Sequence, residues 1–449
     1  MKQLAAWVLG WACLMGCGGQ TGGQQSAARA ETPDEGGRAG TCSAAAPSTQ
    51  QDPECTPASA WVRTFPSPIT AIASDVQQHL VVSEATEEGP ALAKLDAEGR
   101  TLWERPSFDA LASVSGLSVA PSGVISAWGG LGWKTGPGSW NAFRFDAEGN
   151  DYAVVGTVGD DQALGPALED ARGNRVRLET SPYGSSITYT APGGGGWHLD
   201  ETSLLNPSGY TRNTSYPSFL FNGVAFGPAG DVFVSVFIDG EGEWLGTRLG
   251  KAGQKHFVVI RMSPEKEVRW ARELPLTRGS WLWPEAIPGL SVATDGSVFA
   301  LVPVSEARLR EDVFTDSVKP AQATLDLLAL TRDGEVRWAK RLSLPAPAVA
   351  RLAVSQNGRI AVSATHSDSS APASCQASAH ILTFARDGSE ERAFKLAPRM
   401  CTGNVGVYGI TFRGDRLVVA GVYRGTVELT RERTVSSANG EGFVFELSR

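Results

Sequence analysis

Apolar residues in this chain come in short runs, and the runs come in pairs around a turn. At 223–239 the chain reads GVAFGPAGDVFVSVFID, two runs of Val, Phe and Ile around PAGD. At 255–275 it reads KHFVVIRMSPEKEVRWARELP, two more runs around SPEKE. Runs of this length, rich in branched and aromatic side chains and apolar on successive positions, predict strands buried on both faces. Gly, Pro, Asn and Asp at the turns predict hairpins, with Gly supplying the positive φ such turns need.

The same four-strand pattern then repeats. GLSVATDGSVFALVPV (289–304) is followed by LDLLALTRDGEVRWAKRLSLP (325–345). RLAVSQNGRIAVSAT (351–365) is followed by AHILTFARDGSEERAFKLAP (379–398). The last unit opens with GITFRGDRLVVAGVYRG (409–425) and stops at EGFVFELSR (441–449). Fainter copies open at 69 and 116, and 164–207 is the least regular stretch, giving unit starts near 69, 116, 165, 223, 289, 351 and 409. Four antiparallel strands in units of this length predict an all-β chain folded as a β-propeller of seven blades, with six or eight left open by the irregular stretch. The final unit lacks its fourth strand, and a spare strand, AWVRTFP (60–66), stands before the first. Residues 60–66 are therefore expected to complete the blade begun at 409, since a ring closed this way leaves no open edge.

The phrase AKLDAEGRTLW (93–103) resembles the repeat of quinoprotein-type propellers, and the units resemble the propeller repeats of secreted bacterial lipoproteins. In quinoproteins the closing Trp docks adjacent blades. The resemblance implies that role for Trp103, Trp270 and Trp338, with Phe394 standing in once. It also implies an alternative function, a quinoprotein-like or sugar-dehydrogenase-like enzyme.

Residues 1–17, MKQLAAWVLGWACLMGC, place Lys2 before an apolar run too short to span a bilayer permanently. Its end, Leu14-Met15-Gly16-Cys17, resembles the lipobox of bacterial lipoproteins. That resemblance implies cleavage after residue 16 and diacylglycerol on the Cys17 sulfur. Gly18 after the Cys implies the outer membrane of the cell envelope rather than inner-membrane retention. Residues 18–59 are Gly, Ala, Ser, Gln, Thr and Pro with few large apolar side chains, a composition that cannot offset ordering entropy. They are expected to form a flexible tether with a reach of roughly 35 Å. The domain reading is thus signal peptide 1–16, lipidated Cys and tether 17–59, and propeller 60–449.

Composition narrows the function. The 449 residues carry a net charge of −8 without a basic stripe, which argues against nucleic acid as a partner. The cysteines beyond the leader, Cys42, Cys55, Cys375 and Cys401, show no C-x-x-C spacing. They are disulfide candidates. Cys42 and Cys55 close a small loop in the tether or pair elsewhere, and Cys375 and Cys401 both fall on the variable loop face. The five histidines, His79, His198, His256, His366 and His380, are scattered, and no nucleophile elbow, P-loop or H-E-x-x-H occurs. No cofactor or metal is implied.

In a propeller the first and third turns of each blade lie on one face, and the middle loops and inter-blade connections lie on the other. Here the second class is long and variable: 239–255, 304–324, 366–378 and 426–440, with connections 276–288 and 399–408. Loops carried on a rigid scaffold are where binding resides. Trp133, Trp140, Trp244, Trp281 and Trp283 gather in them, as ligand-binding candidates or as residues packing their own loops down. The expectation is a monomeric, membrane-anchored binding or scaffold module for an envelope protein or glycan, an assembly factor being one form of it.

Overall fold

The computed structural model describes residues 59–106, 114–130, 140–150, 153–158, 163–181, 184–200, 219–276, 289–303, 325–342, 344, 347–367, 377–398, 403–431 and 433–447. Its strands fall into seven four-stranded antiparallel sheets. After β1 (Ser59–Phe65), blade 1 holds β2 (Ile69–Ser74), β3 (Leu80–Thr86), β4 (Gly89–Leu95) and β5 (Thr101–Arg105). Blade 2 holds β6 (Gly116–Val119), β7 (Ile125–Gly130), β8 (Trp140–Phe145) and β9 (Ala153–Val158). Blade 3 holds β10 (Ala163–Glu169), β11 (Arg175–Ser181), β12 (Gly184–Thr190) and β13 (Gly196–Asp200). Blade 4 holds β14 (Phe219–Phe226), β15 (Val232–Trp244), β16 (Thr247–Met262) and β17 (Val268–Pro275). Blade 5 holds β18 (Leu290–Val292), β19 (Val298–Pro303), β20 (Leu325–Leu330) and β21 (Val336–Leu342). Blade 6 holds β22 (Pro347–Val354), β23 (Ile360–Ser367), β24 (Ala377–Phe384) and β25 (Glu390–Leu396). Blade 7 holds β26 (Asn404–Arg413), β27 (Arg416–Thr430) and β28 (Arg433–Leu447).

The fourth strand of blade 7 is β1, paired antiparallel with β28 from Ser59↔Leu447 to Phe65↔Gly442. The first strand of each blade lies beside the first strand of the next, and β26 lies beside both β22 and β2, so the ring closes. This is the seven-bladed propeller closed by its N-terminal strand that the repeat predicts.

Twelve short turns share one form. In the first turn of blade 1, Gln78 N–H donates to Asp75 O at 3.0 Å and Asp75 N–H to His79 O at 2.9 Å. The residue before the last takes positive φ, as in a three-residue hairpin with a G1 bulge. Gly fills that place at 123, 230, 296, 334, 358 and 388, among others; Gln78 (φ 67°) and Lys266 (φ 71°) are the exceptions. All these turns lie on one face of the ring, here termed the turn face.

The blades are locked by outer-strand tryptophans. The Trp270 indole N–H donates to Arg332 O at 3.0 Å and the Trp338 indole N–H to Arg386 O at 3.1 Å, each into the last turn of the next blade. A Cβ on Gly334 would sit 2.8 Å from the Trp270 ring, and one on Gly149 2.8 Å from Trp103. The turn Gly thus does two jobs: it accepts the left-handed backbone and leaves a seat for the indole. Two docks were not anticipated. Trp61 lies against Gly99, and Trp197 donates to Pro264 O at 2.9 Å.

Phe394 does not stand in for the Trp. By register Arg392 occupies the Trp position, opposite Thr383 as Trp338 is opposite Ala329. The reason lies in the next blade. β28 and β1 are not joined by a turn, so blade 7 offers no Gly seat. The extension of the β27–β28 hairpin, 425–437, seals that seam instead. Val427, Leu429 and Val435 are buried in one cluster with Phe394, Leu396 and Leu447, Val427 bridges to Pro398, and Thr430 receives a hydrogen bond from Ser59 at 3.3 Å. The segment assigned from sequence to a loop is a strap lying down the seam between blades 6 and 7.

Candidate functional site

First strands run from the loop face to the turn face, so equivalent residues can be matched by counting back from the first turn. One level of the ring then consists of Ala71, Gly116, Pro166, Gly223, Gly289, Arg351 and Gly409. Small residues are required there because the blades converge. A Cβ on Gly223 would lie 2.9 Å from Leu290 Cβ, and one on Gly409 2.6 Å from Ile72 Cγ2. Arg351 is the exception, a long cation at a place the repeat reserves for small side chains.

The next level toward the turn face is aliphatic. Ile72, Leu117, Ala167, Val224 and Ile410 are buried there and form a floor. On the loop-face side the adjoining level brings Thr70, Ser115, Asn222 and Tyr408. The innermost strands therefore carry an aliphatic level toward the turn face and, on the loop-face side of it, hydroxyl, amide and guanidinium groups.

Arg351 crosses the seam between blades 6 and 7. Its Nε–H donates to Tyr408 O at 3.0 Å and its Nη1–H to Ala350 O at 3.0 Å, which fixes the plane of the fork. The same seam is pinned by Thr365, whose hydroxyl donates to Val407 O at 3.0 Å and accepts from Val407 N–H at 2.9 Å. Burial pushes Arg351 down to about 10, with Tyr408 acting the other way. Burial pushes the Tyr408 phenol up to about 12, opposed by the Arg351 charge. At neutral pH the pair is a cation and a neutral hydroxyl. Asn222, 4% exposed, donates from Nδ2 to Ser235 Oγ at 3.5 Å, and its Oδ1 has no hydrogen-bond partner among the described residues.

Of the residues the sequence nominated, Cys17, Cys42, Cys55, Cys375, Cys401, Trp133, Trp281 and Trp283 lie outside the described residues. Trp140 opens β8, and its side chain lies outside them too. Trp244 is fully buried at the tip of the β15–β16 hairpin, its ring centroid 6.0 Å from that of Phe221. The hairpin folds back on the seam between blades 3 and 4, so Trp244 shares a core with Leu249, Ile238 and Tyr189. It packs its loop down and presents no ligand-binding surface. Among the histidines, His256 is buried beneath that hairpin and His79 bonds Asp75 at 3.1 Å.

Sequence reasoning passed over Arg351, Tyr408 and Asn222. The signal for Arg351 was present: GLSVAPSG, GLSVATDG and RLAVSQNG are copies of one segment, and the third has Arg where the others have Gly. Tyr408 and Asn222 carry no such mark, because bulges in β26 and β14 set their positions.

No family model matches the chain, and no curated protein matches it in sequence. Among solved structures, a protein from Lactobacillus plantarum is 10% identical, covering 73% of this chain and 84% of its own, with a TM-score of 0.38. A structure described as a 6-phosphogluconolactonase from Bacteroides uniformis is 13% identical, covering 80% of this chain and 96% of its own, with a TM-score of 0.42. A nidogen/laminin complex contains a chain 14% identical, covering 45% of this one and 79% of its own, with a TM-score of 0.27. At such identity and overlap these neighbours carry no information on what the chain binds.

Proposed function

We propose that the protein is an envelope lipoprotein, anchored through Cys17, whose propeller is a non-enzymatic binding module working through its loop face. One observation carries this reading: the two faces are built differently. The turn face repeats one short hairpin with one hydrogen-bond pattern. The connecting sequences on the opposite side differ in length and composition from blade to blade. A rigid ring that holds one face constant and varies the other suits recognition. The anchor rests on the Leu-Met-Gly-Cys sequence at 14–17.

The test is crosslinking in living cells with tagged, full-length protein. A stoichiometric envelope partner retained by wild type and lost on Trp133→Ala, Trp281→Ala and Trp283→Ala together supports the reading. Trp244 is left intact because it is core. Abundant, folded protein that captures no partner overturns it. Metabolic labelling with palmitate, lost in Cys17→Ser, tests the anchor separately.

A further inference from the structure

We propose that the turn face carries a saccharide-binding cleft at the seam between blades 3 and 4, in which the stacked Tyr189–Trp197 pair packs against a sugar and Arg172 and Lys266 receive its carboxylate. The ligand class is an acidic oligosaccharide. The site lies on the face opposite the one assigned to partner binding above, so the two readings are tested separately.

The cleft itself comes first. The first and third turns of blade 3 meet the third turn of blade 4 around a volume of about 710 Å³, lined among others by Arg172, Tyr189, Pro192, Trp197, Pro264 and Lys266. That volume is within the range of small-molecule sites. The Tyr189 and Trp197 rings are stacked, with centroids 5.1 Å and planes 12° apart. With the two prolines they supply apolar surface for the C–H groups of a sugar, while the aromatic pair keeps a polar handle. Tyr189 is 4% exposed, and its hydroxyl has no hydrogen-bond partner among the described residues. Burial and the Asp170 and Glu265 charges push the phenol up, with Arg172 opposing, so it is a neutral donor at neutral pH. A buried hydroxyl left unpaired is costly unless a ligand pairs it.

The repeat supplies the second observation, because blade 3 and its neighbour depart from it only here. The third turns carry an acidic residue at their third position, Glu98, Glu148, Glu265, Asp333 and Asp387, but blade 3 has Gly193. They carry Gly at their fourth position, except that blade 4 has Lys266, held at φ 71°. Two residues before the third turn stand Lys94, Arg144, Arg261, Ala329 and Thr383, and in blade 3 Tyr189. The substitutions remove a carboxylate, add a cation on strained backbone and add an aromatic ring, all around one cleft. Strain retained at a fold position where Gly serves elsewhere points to a role for the side chain. Neither Arg172 nor Lys266 forms an ion pair among the described residues, and a Cβ on Gly230 would lie 3.5 Å from Arg172 Nη1, which places that cation over the next blade. The Glu265 carboxylate is engaged by the Ser263 hydroxyl of its own turn.

The third is what the cleft withholds. Its backbone donors are spent within the turns: Gly194 N–H on Ala191 O at 3.0 Å, Ala191 N–H on Gly195 O at 2.7 Å, and Lys266 N–H on Ser263 O at 3.0 Å. No ladder is left there for an extended peptide, so recognition falls to side chains. Rings, a phenol and two cations match a compact polyhydroxylated ligand bearing a carboxylate.

The experiment titrates folded full-length protein by calorimetry with trigalacturonate, with a tetrasaccharide of alternating glucuronate and N-acetylglucosamine, and with neutral cellotriose, at constant ionic strength. Saturable binding of at least one acidic saccharide is expected, and none of cellotriose. In ¹⁵N-tryptophan spectra one indole N–H resonance, the one lost in Trp197→Phe, is expected to move in step. Lys266→Gly is expected to weaken binding by a factor of about five while stability holds or rises, whereas a packing role for Lys266 would lower stability and leave affinity unchanged. Tyr189→Phe is expected to weaken it by a similar factor of about five. Gly193→Glu restores the residue type of the other turns, at a place where a Cβ meets nothing within 4 Å, and is expected to abolish binding without unfolding. Arg100→Gln removes an exposed turn-face arginine paired with Asp96 and Glu98 and is expected to change nothing. No saturation by either acidic saccharide, cellotriose binding as tightly as they do, or binding undiminished in both Lys266→Gly and Gly193→Glu overturns the proposal. Binding that persists in the loop-face Trp133, Trp281 and Trp283 variant keeps the cleft whatever becomes of the envelope partner.

Discussion

Single residues carry much of this fold, and the turn glycines show how. Ala at 334 must take φ near 84° and place its Cβ against the Trp270 ring. The left-handed backbone alone costs an L-residue about 1–2 kcal/mol. Gly334→Ala is therefore expected to lower stability by about 2 kcal/mol or more in urea denaturation, with the Trp270 emission maximum shifting red as the dock loosens. Lys266 is the converse case, a non-Gly residue already held at φ 71° in the same turn position. Lys266→Gly is expected to stabilise by about 1 kcal/mol. A loss of stability would mean that the Lys side chain contributes a contact worth more than the backbone strain.

At the scale of elements, strands and first-face turns were legible because each is fixed by local chemistry: apolar runs on both faces and Gly at positive φ. The fates of the two long hairpins were not. DGEGEWLGT and RGTVELTRERT both look like exposed loops. Yet Trp244 and Val427 each find apolar surface on a neighbouring seam, a distant packing that no local pattern encodes. The β15–β16 hairpin also buries His256, 6% exposed, with neither ring nitrogen hydrogen-bonded among the described residues. Burial lowers its affinity for protons, Glu273 at 3.6 Å works against this, and Lys251 works with it. Glu273 also accepts the Gly250 N–H of the folded-back hairpin at 2.9 Å. Because the folded form binds the proton less readily than the unfolded chain, stability rises with pH across this interval. The docked hairpin is thus fully stable above about 6.5 and weakens as the pH falls below it. Protection factors of the amides at 239–255, corrected for the intrinsic exchange rate at each pH, are expected to fall from pH 7.5 to 5.5 in wild type and to stay level in His256→Leu. A flat wild-type profile would remove this account.

For the whole molecule the junction of its two ends is decisive. Glu446 of β28, fully buried, receives Arg413 and also Arg416 at 2.9 Å, while Arg413 reaches the Asp96 and Ala97 carbonyls of blade 1. Arg413 takes the place at Ala97 that an indole N–H takes in the turns receiving Trp270 and Trp338. Trp61 accordingly has its ring seated on Gly99 and its N–H without a partner among the described residues. Removing the carboxylate strands a buried guanidinium at the closure. Glu446→Ala is expected to cost about 3–5 kcal/mol, and adding Arg413→Met to recover part of it, both read from denaturation midpoints. If the single change costs under about 1 kcal/mol, the triad is not what holds the ring shut.

The strand that closes the ring is also where the chain enters it. β1 starts at Ser59, beside Leu447, on the face of short turns. A pull transmitted through the preceding segment, directed away from that face, would act along the axis of β1. All rungs of its ladder with β28 would then share the tension at once instead of parting one after another. The same topology that seals a circle of sheets thus gives the molecule a handle, placed so that traction does not peel the seal.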